Sequence, residues 1–496
     1  MNRHLFLLII AVLFSTTSAF AQGGECGENL TWNINGSTLY ISGTGDMWDW
    51  QVEGYYPPWY EYRESINSVI LETGVATIGA WAFYNCTNLT SVTIPNSVTI
   101  MERCSFYECT SLASITIPNS VARIVHWTFY RCTSLTSVII PNNVTSIEYA
   151  TFSQCTSLIS VTIPNSVATI GTWAFSQCTS LTSVTIPNSV TAIGNNAFEN
   201  CQSLTSINVE SGNTNYFSEN GVLFNKDKTT LICYPGGKTG AYVIPNSVTT
   251  IEESAFNSCS SLISITLPSS VTTIGTAAFR NCSSLTSITN LNPVPVEIID
   301  RYIFEGVNQS ECTLTVPTSA VSAYENAEVW QEFNIVGGGI LVNPVSSNNE
   351  QGYVTGNGLY DGGGKSIATV AAFAYTGYKF VNWTKNGIEI STDNPYSFTV
   401  IEDVELVANF EEGVGIVETV LPNINVYPNP TTGELRIESR ETRVENVVVY
   451  DIFGKNQKIG NWKTENAIDI SNLPTGVYLV KISTKAGEIV RKVLKE

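Results

Sequence analysis

Histidine is almost missing from this chain of 496 residues: there are two, at positions 4 and 126. One histidine beyond the leader region excludes His-rich metal sites. It also leaves any Ser-His-Asp or Cys-His arrangement dependent on His126 alone. That residue sits in Ile124-Val125-His126-Trp127 and reads as a surface histidine. No Cys-x-x-Cys pair occurs, so zinc is not expected. There is no Gly-rich phosphate loop, paired catalytic carboxylate motif or nucleophile elbow. Glu252 and Glu253 are adjacent but have no identifiable catalytic partner. The sequence thus gives no support for an enzyme and implies no cofactor and no metal. Positive charge is scarce as well, with 24 Lys and Arg against 43 Asp and Glu, a net charge of −19. Residues 22–336 alone hold nine basic and 24 acidic residues, a balance of −15. Such a surface is a poor partner for nucleic acid or anionic lipid. It suits a basic protein patch, or it serves solubility alone. Beyond residue 21 no apolar run is long enough to cross a bilayer as a helix, so no transmembrane segment is expected.

What the chain has instead is a 23-residue frame. Phenylalanine recurs at 83, 106, 129, 152, 175 and 198, and again at 256 and 279. Cysteine follows each by three residues, at 86, 109, 132, 155, 178, 201, 259 and 282, and leucine comes three later. A fixed period in this range specifies a solenoid of stacked coils. Within one coil, Phe175, Cys178 and Leu181 are spaced by three, which suits a tight helical turn with one inward face. Ser183-Val184-Thr185-Ile186 alternates polar and apolar and reads as a short half-buried strand. Pro187 ends it, since proline has no N–H for a ladder. Stacked coils give a parallel sheet rising about 4.8 Å per coil.

This frame closely resembles the BspA-like leucine-rich repeat, over about residues 26–336. The resemblance implies a secreted or surface protein that binds host proteins or other cells. The fold class expected is a leucine-rich repeat solenoid of short parallel strands followed by two small all-β domains.

Residues 1–21 read as a signal peptide, with Arg3, an apolar stretch and Ala19-Phe20-Ala21. Cleavage is expected between Ala21 and Gln22. Residues 22–63 are off the frame and read as an N-terminal cap, with a hairpin turn at Asn35-Gly36. The solenoid is expected over 64–290. Its register breaks between Cys201 and Cys259, and a hairpin leaving the solenoid is expected at about 208–240. Residues 291–336 read as a C-terminal cap, and Gly337 to Gly339 as a hinge.

Residues 340–412 contain G-Y-K-F-V-N-W and L-V-A-N-F. They resemble small β-rich bacterial modules related to the internalin-B repeats, which implies a spacer. Residues 413–424 form a linker. Residues 425–496 contain Y-P-N-P-T-T-G-E-L, V-V-V-Y-D-I-F-G-K and L-P-T-G-V-Y-L-V-K-I. They resemble the type A sorting domain of the type IX secretion system. That resemblance implies the type IX machinery as partner and the medium or outer-membrane surface of a Gram-negative bacterium as location.

Twelve cysteines in an exported chain invite a disulfide reading. The register favours a buried thiol column for the eight framed ones, since neighbours in the stack point the same way. Cys26, Cys104, Cys233 and Cys312 lie outside it. Two faces are candidates for binding. One is a hydroxyl ladder of Ser91/Thr93, Ser114/Thr116, Ser160/Thr162, Ser183/Thr185 and Ser264/Thr266, although threonine suits exposed strands without any ligand. The other is aromatic: Trp81, Trp127 and Trp173 two residues before the frame Phe, and Tyr84, Tyr107 and Tyr130 one after it. These rings either anchor an extracellular protein or glycan, with Glu108 beside them, or pack over the coil edge and finish the core. The reading reached is a secreted or cell-surface protein for binding or adhesion. The alternatives are a structural surface scaffold without a host ligand and a secreted hydrolase with an unrecognised site.

Overall fold

The computed structural model of the protein describes residues 22–51, 54–298, 300–361 and 366–413. Of the C-terminal region it describes 424–427, 434–439, 444–451, 456–457, 467–474, 476–484 and 487–495. The leader with Ala21, the linker 414–423 and residues 428–433 of the Y-P-N-P motif lie outside the described residues.

The coils stack as parallel strands in single-period register. Ser183–Ile186 pairs with Ser206–Val209, each residue opposite the one 23 later. The apolar alternation sets the burial: Val184 and Ile186 are inside while Ser183 and Thr185 face out. A second column of two-residue strands, absent from the sequence reading, follows each Pro. Ser146–Ile147, Thr169–Ile170 and Ala192–Ile193 form one such sheet.

The third side of the coil carries the frame Phe, and it is not a helix. It is a chain of three-residue turns, such as Cys86 N–H to Phe83 O and Leu89 N–H to Cys86 O. The turns cannot merge into a helix because the residues two before and two after each Phe have left-handed backbone. Trp81 and Asn85 have φ of 60° and 56°, and Trp127 and Arg131 have 60° and 58°. This geometry turns alternate N–H groups toward the next coil. Trp81, Phe83 and Asn85 donate to the carbonyls of Arg103, Ser105 and Tyr107, at 3.1, 2.8 and 2.8 Å.

Inside, the Phe rings form a continuous stack. Phe106, Phe129, Phe152, Phe175 and Phe198 have successive centroids 5.4–5.7 Å apart. Full burial of each ring contributes about 1.5–3 kcal/mol. The framed cysteines are free and buried. Six of these thiols donate to the Phe carbonyl of the preceding coil, among them Cys109 to Phe83 at 3.1 Å, Cys178 to Phe152 at 3.1 Å and Cys282 to Phe256 at 3.1 Å. A thiol here fills the apolar column and still ties two coils. Burial pushes the Cys86, Cys155 and Cys282 thiols up to about 12. Cys26, Cys104 and Cys312 are also free and buried, and Cys233 is free and half-buried.

Tryptophan closes the solenoid at both ends. Trp59 lies on Phe83, is flanked edge-on by Trp32 and Trp50, and donates Nε1–H to Ala82 O at 2.7 Å. Trp330 meets Phe304 edge-on and donates to Val296 O at 2.8 Å.

The register break does not project from the solenoid. Tyr216–Glu219, Val222–Asn225 and Thr230–Cys233 form an antiparallel meander, and the last strand pairs in parallel with Thr250–Ile251. Val222, Leu223 and Phe224 are fully buried, so the meander replaces coils and does not branch from them. The three glycines are likewise not a free hinge. Gly338 N–H donates to Val316 O, Thr318 N–H to Gly339 O, and Gly339 N–H to Thr318 Oγ1. Asp403 accepts from Leu341 N–H and from Ser319 Oγ, tying the next domain to the solenoid end. That domain has a five-stranded and a three-stranded sheet over a core of Trp383, Leu406 and Phe410. In the C-terminal region, three- and four-stranded antiparallel sheets enclose Leu435, Ile437, Val449, Val480 and Ile482.

Candidate functional site

The left-handed slot two residues before the frame Phe is the most informative surface position. It is filled in order by Trp81, Cys104, Trp127, Ala150, Trp173 and Asn196, then by Ser254 and Ala277, with φ between 50° and 60° throughout. A side chain in this conformation costs about 1–2 kcal/mol relative to glycine, and asparagine tolerates it best. The backbone therefore does not ask for tryptophan. Three alternate coils hold it nonetheless.

The six candidate rings come together. Tyr56, Tyr60, Tyr84, Tyr107 and Tyr130 form one row, with neighbouring centroids 4.1, 6.2, 5.7 and 4.7 Å apart. Trp81 packs against Tyr84 and Tyr107 at 5.1 and 5.4 Å. Trp127, Tyr149 and Trp173 make a second row with spacings of 5.2 and 5.3 Å. Tyr56, Tyr60 and Tyr149 were missed in the sequence. Tyr149 stands three before Phe152, at a slot whose only signal is variability, and the other two lie outside the repeat. Trp173 is 39% exposed, and the other five candidates are half-buried.

Cys104 and Ala150, the small residues at this slot, are buried at the floor of the tryptophan row. Over them lies an open groove of about 550 Å³ whose aromatic lining includes Trp81, Tyr107, Trp127, Tyr130, Tyr149 and Trp173. Its polar lining is Ser153, Gln154, Ser176, Gln177 and Glu199. Gln154 Nε2 donates to Tyr130 Oη at 2.7 Å and fixes that ring. Burial pushes the Tyr107 hydroxyl up to about 12 and that of Tyr84 upward, which keeps both neutral. Glu108 is not a free acidic neighbour: Arg131 Nη1 donates to it at 2.6 Å.

His126 stands edge-on to Trp127, with Nδ1 3.3 Å from Glu148, which also accepts from Arg123 at 3.0 Å. Among the described residues no group of three or more His, Cys, Asp or Glu is placed to hold a metal. Glu253 accepts from the amides of Asn195 and Asn196, and Glu199 from Asn257, beside a cavity of about 200 Å³ at the register break. Of the hydroxyl ladder, Ser91, Thr93, Ser160, Thr162, Ser183 and Thr185 are exposed on strands. Ser114 and Thr116 are exposed but lie in no strand, and Ile139 replaces the outer threonine of its coil. That face is not continuous.

Family comparison bears on the same segments. The model of the BspA type leucine rich repeat region matches in six copies, over 58–178, 147–235 and 233–335. The chain belongs to the BspA-type leucine-rich repeat family. Residues 425–496 match the secretion system C-terminal sorting domain, and 343–414 match the divergent InlB B-repeat domain. A BspA-type solenoid with this sorting tail is a secreted or cell-surface protein handled by type IX secretion. Among the described residues no helix is long and apolar enough to cross a membrane. No curated protein matches the chain.

Similar solved structures include a leucine-rich cell surface protein of Faecalibacterium prausnitzii, 29% identical with a TM-score of 0.48. It covers 63% of this chain and 94% of that one. A leucine-rich repeat protein of Eubacterium ventriosum is 23% identical with a TM-score of 0.42, covering 66% and 87%. One of Bacteroides ovatus is 21% identical with a TM-score of 0.41, covering 64% and 83%.

Proposed function

We propose that the BspA-type solenoid is a recognition module that binds an extracellular protein or glycan through its aromatic groove. The observation that supports this most is tryptophan at a left-handed slot in three alternate coils, where the backbone would favour asparagine or glycine. Large rings bring contact area at little entropic cost, which is why they anchor interfaces. The B-repeat module acts as a spacer and residues 425–496 as an export address, removed after transport. The chain is not an enzyme in this reading: His126 is engaged with Glu148 and Trp127, and the repeat presents a surface and not a reaction centre.

The test is a pair of substitutions, Trp127→Ala with Tyr130→Ala, in the mature chain, assayed on an array of purified glycans and extracellular proteins. The array ligands of the wild type should be lost and the unfolding midpoint kept. Unchanged binding overturns the proposal.

A further inference from the structure

Resting on that reading, we infer that the occupant of the groove is an extended, neutral, β-linked hexose chain lying along the solenoid axis. Four observations point to it. The first is spacing. Trp81, Trp127 and Trp173 stand at one slot on alternate coils. With coils about 4.8 Å apart, the rings recur about every 10 Å along the stack. That is comparable to the two-sugar repeat of an extended β-(1→4)-linked chain, which turns the same pyranose face outward once per repeat. A coiled α-linked chain changes direction and cannot keep its sugars over such a row.

The second is the kind of apolar surface. Apart from Ala150 and Cys104, everything apolar in the groove is an aromatic ring. A leucine- or isoleucine-rich protein segment finds no aliphatic pocket there. The axial C–H groups of a hexose instead meet the flat face of an aromatic ring. The third is the polar lining. Gln154, Gln177, Ser153, Ser176 and Glu199 supply amides, hydroxyls and a carboxylate. These donors and acceptors match sugar hydroxyls, which need both.

The fourth is charge. No lysine or arginine lines the groove, Glu199 does, and the module around it is strongly acidic. An acidic sugar would meet repulsion with no cation to hold it. The groove is open to solvent, so it has room for a stretch of polymer and not only a buried single end. Its volume, about 550 Å³, lies in the range of small-ligand sites, roughly 300–1,000 Å³.

The experiment titrates the mature chain with cellohexaose, mannohexaose, the corresponding trisaccharides, maltohexaose and an oligogalacturonate hexamer. Calorimetry and tryptophan fluorescence are the readouts. At least one β-(1→4) hexamer should bind at least tenfold more tightly than its trimer, while maltohexaose and oligogalacturonate do not bind. Trp127→Ala should weaken the hexamer at least tenfold with an unchanged unfolding midpoint. Alanine is compatible with that slot, because Ala150 and Ala277 occupy it in other coils. Failure of both β-linked hexamers at millimolar concentration overturns the inference, as does binding that survives Trp127→Ala combined with Trp173→Ala. If the hexamers fail but a purified protein on the array binds in a Trp127-dependent way, the sugar is wrong and the recognition module stands. If nothing binds in either panel, both fall.

Discussion

The solenoid before the meander and the solenoid after it share one backbone and differ in surface. In both, Phe rings stack, at 5.5 Å between Phe152 and Phe175 and 5.0 Å between Phe256 and Phe279. In both, a thiol donates to the preceding Phe carbonyl, as Cys178 does to Phe152 and Cys282 to Phe256. In both, the slot two before Phe is left-handed. Yet that slot holds Trp81, Trp127 and Trp173 in the first part and Ser254 and Ala277 in the second. The slot after Phe holds Tyr84, Tyr107 and Tyr130 in the first, against Asn257 and Arg280 in the second. Positions that repeat therefore account for the fold, and positions that vary set the chemistry of the face.

The largest test of this equivalence removes a spine ring from each part. Phe129→Ala and Phe256→Ala should each cost about 3–5 kcal/mol, read from urea unfolding. A marked inequality would mean that the two stacks are not one structure. Next is alkaline pH. The folded Cys155 thiol is raised by burial to about 12 from an ordinary value of 9.0. Its stabilising contribution is thus complete below about pH 9 and is lost as pH rises toward 12. Each such thiol adds up to about 1.4 kcal/mol per pH unit to the decline, and Cys155→Ala should flatten it by that amount. An unaltered slope would contradict the buried-thiol account.

A graft sharpens the contrast further. Ser254→Trp and Ala277→Trp place the missing rings on slots already bent to accept them. Each should change stability by less than about 1 kcal/mol, and fluorescence should report a half-exposed indole. A loss of several kcal/mol would show that the second part excludes the rings sterically. The smallest effect is expected from Ala150→Gly and Ala277→Gly. At φ of 50° and 53° glycine should be stabilising by up to about 1 kcal/mol. Destabilisation would mean that the slot is not strained.

Much of this was legible in the sequence because the frame repeats. Phe175, Cys178 and Leu181 declared the core, and Ser183 to Ile186 declared the outer strand, each through a period that burial enforces. The second column, such as Thr169–Ile170, escaped because two residues are too few for alternation to show. The left-handed slots escaped because tryptophan and cysteine give no sign of positive φ, and only the asparagines among them, Asn85, Asn196, Asn200 and Asn281, hinted at it. The meander and the tied glycines escaped for another reason. Leu231 meeting Ile251, and Asp403 meeting Leu341 and Ser319, are contacts between segments that no local pattern connects. Of the groove, five rings were visible as variable aromatics. Tyr149 and the buried floor of Cys104 and Ala150 became visible only when coils were stacked.

The account rests on the aromatic row being surface and not core. Urea unfolding of the mature chain carrying Trp81→Ala, Trp127→Ala and Trp173→Ala together, beside Phe129→Ala alone, measures this directly. The triple variant should keep its midpoint close to the wild type, while the single Phe variant loses about 3–5 kcal/mol. A triple variant as unstable as Phe129→Ala would show that the tryptophans finish the core, and the groove would lose its claim to recognition.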